Sequence, residues 1–192
     1  MTDVPHVVQP VVRETHAAVL QDRADPAAPV VAAHDDVLHF QHVDRELWTK
    51  AGGLGVLCAD IPEEYGGAGG DFAHMAALFD ELAAAGDTSF GVHVHIIVAH
   101  YLLNHGTEEQ KRKYLPRLAS GAMIGAIAMS EPAAGSDLQG IHTRAVRDGD
   151  EFVINGQKIW TSGAQYADWL FALVRTDPEA PKHRGISFLM MD

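Results

Sequence analysis

The chain has one cysteine, Cys58, among its 192 residues, so no intramolecular disulfide can brace it. Positive charge is scarce. Its 14 Lys and Arg face 26 Asp and Glu, a formal charge of −12. No cationic excess remains to neutralise a phosphate backbone, which argues against a nucleic-acid partner. A small anionic ligand needs only a few local donors and stays open. Long apolar runs are also missing. The run Ile96 to Ala99 stops at His100, and even the longest, Trp169 to Val174, is far short of a bilayer span. Asp3, Glu14, Asp22 and Asp25 interrupt the first stretch, which fits neither a secretory signal nor a transit peptide. A soluble cytoplasmic protein with no membrane span is the expectation. Metal-ligand spacing is lacking too. His93, His95, His100 and His105 contain no i, i+4 pair and have no nearby cysteine, so no metal site is expected.

Apolar material is not scarce. Hydrophobic residues make up 47% of the chain, enough for a buried core. Residues 1–43 show weak periodicity broken by Pro5, Pro10, Pro26 and Pro29, and read as a poorly defined arm with at most a short helix from Val11 to Leu20. Residues 44–121 read as helical. Leu47 and Ala51 follow Val43 at helical spacing, with Trp48 beside them. Asp71 is placed to cap a helix whose stripe is Phe72, Met75, Ala76, Phe79, Leu82 and Ala83. A further helix spans Val92 to Leu103. Thr107 with Gln110 forms a capping box for one more, running to Leu118 and closed by Gly121. Between the first two, Ile61 to Gly70 is a glycine-rich loop. It lacks the Lys-Ser/Thr ending of a P-loop, so a plain connection is favoured over a phosphate cradle.

Residues 122–192 change to strand texture. Met123 to Met129 is one short strand. Thr143 to Arg147 and Glu151 to Ile154 flank Asp148-Gly149 as a hairpin. Gln157 to Thr161 starts a new strand or bend, and Asp168 to Arg175 and Gly185 to Met191 are two more strands. The layout is α+β.

Two islands carry candidate chemistry. The first is AMSEPAAGSDLQG, Ala128 to Gly140; the second is GQKIWTSG, Gly156 to Gly163. Pro132 fixes the backbone, while Ala133, Ala134 and Gly135 let main chain approach a flat ligand. Ser130 and Ser136 each offer a donor and an acceptor. Trp160 offers a broad face for ring packing, and Thr161 and Ser162 add polar groups beside it. On residues alone this suits a planar, polar-edged cofactor, but a turn followed by a hairpin explains the same Gly and Pro equally well. Glu63, Glu64, Asp80 and Glu81 include acids that could act as a pair, yet nothing in the sequence brings them together.

These islands, with VINGQKIWTSGAQYADWL extending the second and IPEEYGGAGG and HGTEEQKRKYLPRLASG upstream, resemble the acyl-CoA dehydrogenase family over residues 44–192. Ala133 departs from the family's usual Gly. The resemblance implies an N-terminal all-α domain followed by an incomplete antiparallel β-barrel-like middle domain. It implies FAD held by Ile127, Ala128, Met129, Ser130, Glu131, Pro132, Ala133, Ala134, Gly135, Ser136, Trp160, Thr161 and Ser162. Ser130 would meet the pyrimidine edge, Ser162 would lie near flavin N5, and Ser136 would also contact the thioester substrate. The helix around Val92 to Leu103 would form part of the acyl pocket. The reaction implied is flavin-dependent α,β-dehydrogenation of an acyl-CoA in fatty-acid and lipid metabolism. Electrons would pass to electron-transfer flavoprotein or a similar acceptor.

The family's catalytic Glu belongs to a C-terminal helical bundle, so no catalytic base is assigned within these residues. A truncated or partial subunit is therefore expected, working as a homo- or hetero-oligomer. A catalytically inactive binding or assembly module of the same fold is the alternative. A β domain left open exposes strand edges and apolar faces, so a lone chain is expected to aggregate or need a partner.

Overall fold

The computed structural model describes residues 7–8, 43–87 and 89–192. Apart from residues 7–8 and 43, the N-terminal arm and its expected helix lie outside the described residues. The described part of the arm is β1, Val7–Val8, which pairs in parallel with the strand at Phe188 and Leu189.

Four helices follow. Helix α1, Arg45–Gly53, buries Trp48 and Ala51. Leu47, expected on that face, is 46% exposed, so the buried stripe is rotated by one residue toward Trp48. The large indole fills the space against Phe90, with ring centroids 4.7 Å apart. Helix α2, Phe72–Ala84, opens with the Asp71 cap, made reciprocal by His74. Met75 is buried and Phe79 and Leu82 pack beside it, but Phe72 is 77% exposed. The expected stripe begins one turn late because residues 72–74 stand clear of the neighbours that cover the later turns.

Helix α3, Val92–His105, is apolar on most sides and packs on most sides. Val92 and Ile96 join Trp48, Met75 and Ile124, whereas Val98, Ala99 and Leu102 join α4 and the sheet. Helix α4, Glu108–Ala119, opens with the expected capping box: Gln110 N–H to Thr107 Oγ1 at 3.2 Å and Thr107 N–H to Gln110 Oε1 at 2.9 Å. The glycine-rich loop folds back on its own stem. The amides of Gly66 to Gly70 all donate to carbonyls between Cys58 and Glu63, which leaves none of them for a phosphate. Among the described residues no helix is long and apolar enough to cross a membrane.

The remaining strands are β2 Gly125–Ala128, β3 Arg144–Asp148, β4 Glu151–Asn155, β5 Trp169–Arg175 and β6 Ile186–Met191. They form an open, mixed sheet rather than an antiparallel barrel-like one. The hairpins β3–β4 and β5–β6 are antiparallel, but β2 runs parallel to β5 and β3 touches β5 in parallel at Arg144 and Arg175. The cause is the chain path. β2 and β3 both lie on one edge of β5, β2 along its first half and β3 at its end, like one edge strand interrupted by residues 129–143. Gln157 to Thr161 is not a strand; regular pairing ends at Asn155.

One face of the sheet meets the helices. Phe171 and Phe188 stack at 4.1 Å, and Tyr101 of α3 lies 4.9 and 4.6 Å from them. The opposite face carries Ala128, Ala145, Ile154, Ala172, Val174 and Leu189. With both faces apolar, β5 reads as a continuous run rather than an alternation.

Candidate functional site

The excursion between β2 and β3 is the first island. It leaves the sheet at Met129 and turns sharply at once. The amide of Ala134 donates to the carbonyl of Glu131 at 3.1 Å, and the amide of Glu131 to the carbonyl of Ala134 at 2.8 Å. Pro132 occupies the first corner of this turn, where its fixed φ is already suitable. Side chains then divide by burial. Ala128, Glu131 and Ala134 are buried; Ile127, Met129 and Ser130 are half-buried; Pro132, Ala133, Gly135 and Ser136 are exposed.

The neck of the excursion is closed by Glu131, whose side chain is only 4% exposed. Its carboxylate accepts from the amide of His142 at 2.6 Å and the amide of Thr143 at 2.9 Å. It also accepts from Lys158 Nζ at 2.9 Å. Burial alone would raise this carboxyl, but the donors from His142, Thr143 and Lys158 outweigh it and bring its pKa down to about 2. All of that acceptor capacity points inward, and its amide and carbonyl are both taken by Ala134, so Glu131 holds the turn rather than facing a ligand. The far end of the excursion is held by Arg175, which donates to the carbonyls of Gln139 at 2.7 Å and Ile141 at 3.2 Å.

The second island lies directly against the first. The amide of Ile159 donates to the carbonyl of Ser130 at 3.0 Å, and Lys158 Nζ donates to the carbonyl of Met129 at 3.0 Å. The close fit begins at Gly156, where a Cβ would fall 2.3 Å from Thr143 Oγ1 and 2.5 Å from Thr143 Cα. Trp160 is in the left-handed region at φ 58°, rare for a bulky residue, and the residue is 80% exposed. Ser162 is exposed and Thr161 half-buried. Of the candidate polar and ring side chains, Trp160, Ser136 and Ser162 are exposed and Ser130 is half-buried. That inventory suits a flat ring with polar edges.

Lys158 was invisible as a site residue in the sequence. Its partner lies 27 positions away, and a lone lysine in GQKIW has no distinguishing pattern. The histidines do not converge. His95 is fully buried between α4 and β2, and His100 pairs with Asp60 at 2.9 Å. Among the described residues no three metal-ligating side chains cluster.

Helices first, an open mixed sheet after them and an edge excursion clasped to a tryptophan-bearing segment define an acyl-CoA dehydrogenase-type framework. The family comparison agrees: residues 9–122 match the acyl-CoA dehydrogenase N-terminal domain, and residues 126–192 match the acyl-CoA dehydrogenase middle domain. The chain belongs to the acyl-CoA dehydrogenase family. It is 40% identical over 166 residues to the mitochondrial long-chain specific acyl-CoA dehydrogenase of Rattus norvegicus, covering 85% of this chain and 38% of that protein. It is 46% identical over 153 residues to acyl-CoA dehydrogenase FadE26 of Mycobacterium tuberculosis, covering 78% of this chain and 38% of that protein. Among solved structures, an acyl-CoA dehydrogenase from Geobacillus kaustophilus superposes with TM-score 0.77 at 42% identity, covering 83% of this chain and 43% of that one. The chain thus spans about two fifths of the length of the relatives it matches.

Proposed function

We propose that this chain supplies the helical domain and the first part of the middle domain of a flavin-dependent acyl-CoA dehydrogenase. The hydrogen bond from Ile159 to the Ser130 carbonyl carries the reading. It joins the serine-bearing turn to the residue before an exposed tryptophan, which supports reading the two islands as one cradle. FAD is the cofactor that fits. Main chain from Ile127 to Ser136, the Trp160 face, and the Thr161 and Ser162 edge would hold it. When bound, FAD supplies the acceptor for the β-hydrogen of the acyl chain, taken as hydride, while the α-proton passes to a base. Ser130 and Ser162 would hold the ring edge, and Ser136 would also contact the thioester. Donors aimed at the thioester oxygen favour α-proton loss, because they stabilise the charge that develops there. The family resemblance would place that base in a C-terminal helical bundle, so no residue of this chain is proposed for it.

The substrate class is an acyl-CoA thioester. The relatives carry names that range from long-chain to isovaleryl-CoA dehydrogenases, so the thioester is what they share. Electron-transfer flavoprotein or a similar carrier would reoxidise the cofactor, within a homo- or hetero-oligomer.

The test is FAD titration followed by visible absorbance, with the chain alone and with a separately expressed C-terminal bundle of a relative. Bound flavin in either arm, and dye-coupled oxidation of an acyl-CoA in the second, is the expected result. No flavin in either arm sinks the reading. Flavin without turnover in the completed assembly would favour the inactive assembly module instead.

A further inference from the structure

We infer that Lys158 is the positioning residue of the cofactor cradle: its ammonium clasps the two islands together from beneath and so sets the separation of Ser130 and Trp160. The inference rests on the flavin reading above and adds a residue to it.

The geometry is specific. Lys158 Nζ donates to the carbonyl of Met129 at 3.0 Å and to Glu131 Oε1 at 2.9 Å, and so holds both residues that flank Ser130. The same side chain stands two positions before Trp160. Ile159, between them, donates its amide to Ser130 itself. Both partners are sequestered, with Lys158 11% and Glu131 4% exposed at the side chain. The Lys158 ammonium is engaged by a main-chain carbonyl and a carboxylate of the first island. It acts through the backbone it grips.

Stability alone does not call for an ion pair here. Replacing a buried pair with well-packed apolar groups is often neutral or stabilising, whereas removing one partner strands the other. The charged pair does supply direction. A lysine head is a compact point charge with three donors, able to meet a carbonyl and a carboxylate that diverge in direction. The clasp also bears on a strained residue. Trp160 is held at φ 58°, a conformation that persists only where its surroundings over-determine it. Lys158 and Ile159 are the anchors just ahead of it. Glu131 extends the clasp to a third segment, because its carboxylate also takes the amides of His142 and Thr143 at the far side of the neck.

The experiment uses the full chain and four variants: Lys158→Met, Lys158→Arg, the double variant Glu131→Gln/Lys158→Met, and Tyr65→Phe as a control remote from the cradle. Amide hydrogen exchange and FAD titration are measured on each. In Lys158→Met the Ile159 amide should exchange at least tenfold faster while amides of β5 and β6 keep their protection. FAD affinity should fall at least tenfold, with a shifted visible spectrum for the flavin that still binds. Lys158→Arg should recover part of both. The double variant leaves no stranded carboxylate, so it should fold and yet remain weak for FAD. Tyr65→Phe should leave FAD affinity unchanged. Unaltered Ile159 exchange, or unaltered FAD affinity, in a folded Lys158→Met or double variant overturns the inference while the flavin reading stands. A wild-type chain that binds no FAD, alone or completed, overturns both.

Discussion

The His95 Nε2–H donates to the carbonyl oxygen of Leu118 at 3.0 Å, across 23 positions of sequence. The other ring nitrogen, Nδ1, accepts the amide of Gly125 at 3.3 Å. One neutral imidazole thus joins α3 to the end of α4 and the start of β2. It holds the helical part to the sheet, and both ring nitrogens are committed to the neutral form.

Burial lowers the His95 pKa from 6.5 to about 4, against a smaller opposing effect of the Leu118 carbonyl. A base depressed in the folded state has no effect on stability above pH 6.5. Between about 6.5 and 4 the unfolded chain takes up a proton that the folded chain refuses, so stability falls with pH and then levels off. The full loss is on the order of 3 kcal/mol. Melts at pH 7, 5.5 and 4 should show a declining Tm. His95→Leu should flatten that decline and cost about 2–4 kcal/mol at pH 7, because it strands two buried backbone groups. An equally steep decline in the variant would assign the acid sensitivity elsewhere.

Trp160→Gly separates fold from site. Relief of the φ 58° conformation should leave the melting free energy unchanged or raise it by up to about 1 kcal/mol. FAD affinity should drop at least tenfold, because the exposed ring face is gone. A variant that melts lower yet binds FAD normally would remove Trp160 from the cradle.

Gly156→Ala drives a methyl into Thr143 at 2.3 Å from its hydroxyl and 2.5 Å from its Cα. The backbone must move, so destabilisation of about 1–3 kcal/mol is expected in chemical denaturation. FAD binding should weaken as well, since the shift propagates to Lys158. No loss of either would mean the two segments part easily.

Arg45 and Asp168 form an ion pair across the two parts of the chain, but their side chains are 53% and 29% exposed. Arg45→Ala should cost no more than about 1 kcal/mol. Asp168→Ala should cost more, by about 1 kcal/mol or above, because its other oxygen accepts the amide of Ile124 at 2.8 Å. Equal costs in urea melts would show that the amide bond contributes nothing.

Much of the helical half was legible in the sequence. The Thr107–Gln110 and Asp71 caps and the β3–β4 hairpin all rest on residues a few positions apart. Three features were not legible. Phe72 shares the periodicity of Met75 but is exposed, because periodicity says nothing of where the covering neighbour ends. Pairing of Gly125 with Trp169 in parallel depends on the excursion between them, and local pattern carries no strand direction. Segment 157–161 has strand-like composition, yet its contacts go to the Met129–Glu131 turn and not to a ladder.

Taken by itself, the sequence determined the short-range structure: caps, turns, apolar stripes and the residue chemistry of two separate islands. Those follow from steric and hydrogen-bonding preferences that act within one or two turns of chain. Only the tertiary structure decided that Lys158 meets Met129 and Glu131, that Ile159 meets Ser130 and that Trp160 stands exposed. Contacts across 27 positions exist only once core burial has set the path of the backbone.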